Sequence, residues 1–346
     1  MAPTHDVSTS ERPAWKALAA LCVGLFMTLL DQSLVAVALP QVQRDLQASL
    51  NQVVWVSAVY LLTFAAPLLI TGRLGDRFGQ RRIYLIGMVT FVAAALAAAM
   101  APTIEFLIAA RAVQGLGGSL LNPQPLSIIN RIFARSRRGA AMGVWSAVAG
   151  STGLIGPVVG GVLVGMVSWR AVFVLYVPLG VISLLLVVRW VPRLPLGVSR
   201  IDVVGALISL IAVFGVVFTL QQGPELGWPV WLWGVLAGAV AALVVFVWLQ
   251  RRGEQRGMDV LVPSGLFAYR NFALGVVAVA TLGFTVYSIN LPIMLYLQGS
   301  AGLSAEAAGL LLVPTAAISV VLAPLVGRLA DRTPPGRISI IGFTAM

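Results

Sequence analysis

Long apolar runs alternate with short polar connections along nearly the whole chain. A helix needs about 20 residues to cross the hydrocarbon core of a bilayer. Ten runs reach that length: residues 15–39, 52–71, 82–101, 104–129, 140–166, 170–190, 202–221, 229–250, 271–297 and 305–327. Another begins near Arg337 and runs to Met346. The pattern predicts an all-α polytopic membrane protein with ten complete transmembrane helices and the start of an eleventh. The first run is too long for a cleavable leader, and Asp31-Gln32 stands where small residues would be needed.

Composition places the same chain in lipid. It is 59% hydrophobic and only 10% charged, with a mean hydropathy of +0.95, whereas a soluble domain carries about 25% charged residues. Cys22, in the first run, is the only cysteine, and His5, in the tail, the only histidine. No intrachain disulfide, cysteine/histidine metal site or histidine-assisted nucleophile can be built from these. Nor is there a phosphate loop ending in Lys-Ser/Thr, so enzymatic activity is not expected. The net charge of +11 comes in clusters between apolar runs, without a basic stripe interleaved with aromatics, which argues against nucleic acid as a partner.

Those clusters orient the chain. With the N-terminus cytoplasmic, the outward connections hold only Arg44 and Arg170, Arg111 falls inside the fourth run, and 20 of the 23 basic residues lie on one side. The positive-inside rule makes that side the cytoplasm.

An internal repeat sets the architecture. Gly72-Arg-Leu-Gly-Asp-Arg-Phe-Gly-Gln-Arg-Arg-Ile83 returns as Gly327-Arg-Leu-Ala-Asp-Arg-Thr-Pro-Pro-Gly-Arg-Ile338, identical at seven of twelve positions. The second and tenth runs are then equivalent elements of two parallel halves, with runs seven and eight an inserted pair. The expected organisation is a tail over 1–14, a six-helix bundle over 15–190, a linker with the inserted helices over 191–260, and the beginning of a second bundle over 261–346.

Five groups of residues carry candidate chemistry. Gly72, Arg73, Asp76, Arg77 and Arg81 form a loop in which Gly72 ends a helix, arginines face the negative helix end and Asp76 pairs with one of them. Such a cluster can latch two helix bundles, or simply anchor a cytoplasmic loop; Gly327, Asp331 and Arg332 are its second copy. Asp31 is a carboxylate deep in the first run, where an unpaired charge costs several kcal/mol, making it a plausible switch between a proton and a cation. Arg111 is the only intramembrane arginine, with Gln114 one turn away; by depth it can sit level with Asp31, or it can merely satisfy helix carbonyls. Gly153, Gly156, Pro157, Gly160 and Gly161 in the fifth run allow close helix approach and a bend. Gln32, Trp55, Tyr60, Asn122, Trp145, Tyr287 and Asn290 are candidates to line a substrate cavity, with aromatics suited to cations.

At these motifs the chain resembles the fourteen-span drug:proton antiporter branch of the major facilitator superfamily, from about Ala14 onward. Leu30-Asp31-Gln32-Ser33 through Ala38-Leu39-Pro40 fits that family's acidic motif in the first span. Arg111, Gln114, Gly115 and Gly117 fit its proton-transfer motif, and Gly72, Asp76 and Arg77 its gating loop. The fifth-run glycines resemble its antiporter signature, although Thr152 stands where the middle glycine is expected. Ile201-Asp202-Val-Val-Gly205-Ala206 opens the seventh run as in the fourteen-span branch. The resemblance implies a major facilitator fold in a bacterial inner membrane and multidrug export of hydrophobic or cationic compounds by alternating access. It implies a proton gradient as energy source, no cofactor and no metal, and leaves any membrane-fusion partner unidentified. A full member continues for several more spans, so the chain reads as C-terminally truncated. Efflux of one specific metabolite or antibiotic, or a truncated membrane protein that transports nothing, are the alternative readings.

Overall fold

The computed structural model describes residues 11–196, 202–258 and 260–296, with scattered positions from 311 onward. Helices account for the described chain almost entirely. In order they are α1 (Glu11–Asp45), α2 (Leu50–Ala65), α3 (Leu68–Phe78), α4 (Gln80–Ala99), α5 (Ile104–Leu121), α6 (Pro123–Ile132), α7 (Arg138–Met166), α8 (Trp169–Val174), α9 (Tyr176–Trp190), α10 (Val203–Leu226), α11 (Val230–Gln255) and α12 (Arg270–Leu295). Among the described residues, seven helices are long and apolar enough to cross a membrane, or eight if the bent pair α2–α3 is one span. The first nine predicted runs each fall on one of these helices or helix pairs. Most of the tenth and eleventh falls outside the described residues.

Local chemistry sets the boundaries. Ser49 and Gln52 open α2 with a reciprocal capping box, Gln52 N donating to Ser49 Oγ and Ser49 N to Gln52 Oε1, which satisfies two otherwise orphaned amides. Thr103 caps α5 and Asp202 caps α10 in the simpler one-bond way. Pro67, lacking an amide hydrogen, separates α2 from α3 at a 47° bend.

α1 is the central helix. It packs on α7 and α9, while α5 lies between α2 and α4. Close approach on both flanks of α5 depends on glycine: a Cβ on Gly115 would come within 2.5 Å of the Tyr60 carbonyl in α2, and one on Gly117 within 2.6 Å of the Phe91 amide in α4. α10 and α11 pack on each other, and α10 also touches α2 and α3. Large apolar side chains such as Val204, Ile211, Val244 and Val279 stay exposed on the outer helices, the arrangement expected of a surface solvated by hydrocarbon.

The two ends of the bundle differ in charge. At one end Trp169 Nε1 donates to Asp45 Oδ2, Arg170 Nη2 to the Ala101 carbonyl and Gln52 Nε2 to Glu105 Oε1. The other end gathers Arg73, Arg77, Arg81, Arg82, Arg131 and Arg193 around the α3–α4 corner and the end of α9.

Candidate functional site

The first bundle encloses an ion pair. Asp31, Arg111 and Gln114 are 0%, 1% and 0% exposed. Arg111 Nη1 donates to Asp31 Oδ1 at 2.9 Å and to Gln114 Oε1 at 2.8 Å, and Arg111 Nε donates to the Val56 carbonyl at 3.1 Å. Gln114 Nε2 donates to the same Asp31 Oδ1 at 3.2 Å. Both bonds to the Asp31 carboxylate thus fall on one oxygen. Asp31 Oδ2 has no hydrogen-bond partner among the described residues, and neither have the hydroxyls of Tyr60 and Tyr176. Tyr176 stands beside Asp31 without completing a hydrogen bond to it.

Aromatic rings close the site. The Arg111 guanidinium carbon lies 4.1 Å from the Tyr60 ring centre and 5.9 Å from that of Phe173, positions in which a ring face attracts a cation. Phe91 packs edge-on against Tyr60 and Tyr176, and Phe173 edge-on against Tyr176. α1, α2, α4, α5, α8 and α9 thus each supply a member. Phe91 and Tyr176 were not singled out by sequence reasoning.

The other cavity candidates separate. Trp55 turns toward the inserted pair, 6.0 Å from the Phe218 ring. Asn122 and Trp145 share a small crevice with Thr28 and Tyr84. Gln32 is exposed. Tyr287 and Asn290 lie on α12, but their side chains fall outside the described residues.

The loop cluster differs from expectation in three respects. Gly72 does not end a helix: α3 continues to Phe78, and the break is at Gly79, whose φ of +96° an L side chain rarely adopts. Asp76 pairs with none of the cluster's own arginines. Its Oδ1 lies 3.5 Å from Arg131 Nη2 of α6 and accepts from Gln80 Nε2 at 3.0 Å, because the α3–α4 corner is packed against α6. Arg81 instead reaches the end of α9, donating to the carbonyls of Val188 and Val191, where a cation satisfies both orphaned oxygens and the helix dipole. Arg77 stacks beside Phe78. Arg73 spans 188 positions to donate to the Leu261 carbonyl at 3.0 Å, and it also donates to that of Val260. The second copy at Gly327, Asp331 and Arg332 lies outside the described residues.

On α7, which runs through Pro157, the small residues divide by face. A Cβ on Gly156 would meet Ser33 Cβ at 2.4 Å and one on Gly160 would meet Leu34 at 3.2 Å, whereas Gly153 and Gly161 have nothing within 4 Å. Gly156 and Gly160 therefore hold α7 against the stretch of α1 that follows Asp31.

Comparison with known proteins agrees with this architecture. The family model described as Major Facilitator Superfamily matches residues 21–346. An uncharacterized MFS-type transporter of Mycobacterium tuberculosis is 42% identical over 332 residues, covering 96% of this chain and 56% of that protein. The tetracenomycin C resistance and export protein of Streptomyces glaucescens is 34% identical over 332 residues, 95% of this chain and 61% of that protein. The chain thus spans little more than half the length of these relatives. Among solved structures, the proton:xylose symporter XylE superposes with a TM-score of 0.59 at 14% identity, over 92% of this chain and 69% of that one, a likeness of fold.

Proposed function

This chain belongs to the major facilitator superfamily, and we propose that within it the protein is a proton-coupled antiporter of the fourteen-span drug-exporting branch, with Asp31 as its exchanging carboxylate. The observation that carries the reading is the lopsided pairing of Asp31: every hydrogen bond reaches Oδ1, and Oδ2 is left without a partner in a fully buried site. A buried oxygen in that condition is costly, and a proton bound there removes the charge that makes it so.

Arg111 stays in place when that happens. The Val56 carbonyl, Gln114 Oε1 and the Tyr60 ring hold its guanidinium independently of Asp31. Protonation thus weakens the tie between α1 and α5 without freeing the arginine. One carboxylate can hold a proton or answer a cation, not both, which is the minimum requirement for exchange. Inward proton movement supplies about 2.3 kcal/mol per charge per 100 mV, so no cofactor is needed.

The remaining assignments follow from the same architecture. Asp76, Arg131 and Gln80 would latch the arginine-rich end, taken as cytoplasmic because 20 of 23 basic residues lie on that side of the predicted spans. Gly156-Pro157 would let α7 bend against α1. Hydrophobic or cationic compounds are the substrate class; the similarity to a tetracenomycin C exporter favours one specific antibiotic as a second reading. The test is drug-triggered proton release from inverted membrane vesicles carrying protein expressed from its intact gene. Release that disappears in Asp31→Asn supports the assignment; equal release in that variant removes it.

A further inference from the structure

The arginine-rich end contains a feature that exchange chemistry does not use. Between the start of α4, the end of α9 and residues 192–196 lies a cavity of about 600 Å³, lined by Arg81, Arg82 and Arg193 together with apolar walls that include Leu85, Val188 and Leu196. None of its lining residues is acidic. Arg81 is committed to the α9 carbonyls, while Arg82 and Arg193 are exposed, and no hydrogen bond or ion pair to either is found among the described residues. Arg193 stands near enough to Arg81 for their charges to oppose one another. The positive end of α4 opens at the same place, and Gly79 provides no side chain to cap it.

Three positive charges, an uncapped helix start and a greasy wall define the ligand's chemistry. An anion relieves the repulsion and meets the free amides. A small anion would leave the apolar side of the cavity uncovered, whereas an acyl chain running along Leu85 and Val188 covers it. Both residues belong to helices long and apolar enough to span, and Trp190, at the end of α9, is a residue type that marks interfacial depth. We propose that this cavity binds an anionic phospholipid, its phosphate on Arg82 and Arg193 at the start of α4. The proposal rests only on the chain spanning a membrane and is independent of proton exchange.

The experiment is native mass spectrometry of the purified chain titrated with dioleoylphosphatidylglycerol, with dioleoylphosphatidylcholine and inorganic phosphate as separate arms. The expected result is a first phosphatidylglycerol bound in preference to phosphatidylcholine and not displaced by millimolar phosphate. Two basic residues near a membrane surface contribute enough that Arg82→Gln/Arg193→Gln should bind it about thirty-fold more weakly, and each single variant about five-fold. Arg251→Gln/Arg256→Gln, which removes the same charge from the exposed end of α11, should bind like the wild type. Equal loss in that control means general electrostatics and overturns the site. Equal uptake of phosphatidylcholine means an apolar crevice, and displacement by phosphate means a free-anion site; either result also overturns it.

Discussion

Arg111 Nη1 lies 2.9 Å from Asp31 Oδ1, joining α5 to α1 across 80 positions of sequence with neither side chain open to solvent. Removing one partner of such a pair strands the other charge and costs about 3–5 kcal/mol, whereas removing both for apolar groups of similar size costs far less. Asp31→Leu and Arg111→Met should each lower the unfolding midpoint in a fixed detergent, and the double variant should recover most of the loss. Single variants as stable as the wild type would show that the pair is not closed in the protein.

Tyr60 separates ring from hydroxyl. Its hydroxyl has no partner among the described residues, while its ring lies 4.1 Å from the Arg111 guanidinium. Tyr60→Phe should be neutral or slightly stabilising. Tyr60→Leu gives up a desolvated cation–π contact worth about 2 kcal/mol, and part of the ring's packing with it. Thermal unfolding of the two variants side by side checks the contrast.

On α7, positions five residues apart should differ in their tolerance of a methyl group. Gly156→Ala forces Ser33 away, since a Cβ there would come within 2.4 Å, but Gly161→Ala meets open space. The first should destabilise by about 1–3 kcal/mol as an overpacked contact, and the second should change stability by no more than about 0.5 kcal/mol. A denaturation series on both variants decides it.

These contrasts show which parts of the site could be read in advance. A carboxylate and an arginine inside apolar runs cannot be masked by composition, and counting residues from each end placed them at compatible depths; their meeting agrees with that arithmetic. The helix positions followed from run length for the same reason. Partners set by tertiary packing were invisible. Asp76 had several nearby arginines to choose from, yet it is paired with Arg131, 55 residues on, because α3 and α6 touch. Gly72 directly follows the apolar run and so reads as the helix end, while the positive φ falls at Gly79. The ring cage around Arg111 draws on α2, α4, α8 and α9, and aromatic residues in apolar runs carry no mark that distinguishes such a cage from ordinary packing.

The connector after α11 supplies a fourth prediction. Val262 N donates to Gln250 Oε1, and Ser264 N and Gly265 N donate to the Glu254 carboxylate. Gln250 Nε2 in turn donates to Asp202 Oδ2, and Arg73 grips the Leu261 carbonyl from α3. These amides should exchange slowly in hydrogen–deuterium exchange of peptides covering 260–266. Glu254→Ala should speed them directly, and Arg73→Leu should do so from a distant part of the chain. An unchanged rate in Arg73→Leu would mean that α3 does not hold the connector.

In the proposed exchange Asp31 carries a proton that a bound cation displaces. The decisive experiment counts protons released when a hydrophobic cation such as tetraphenylphosphonium binds purified protein expressed from its intact gene, in weakly buffered detergent with a pH indicator. Proton release should saturate together with binding in the wild type and be lost in Asp31→Asn. Binding by the wild type without proton release, or undiminished release from Asp31→Asn, would contradict that exchange.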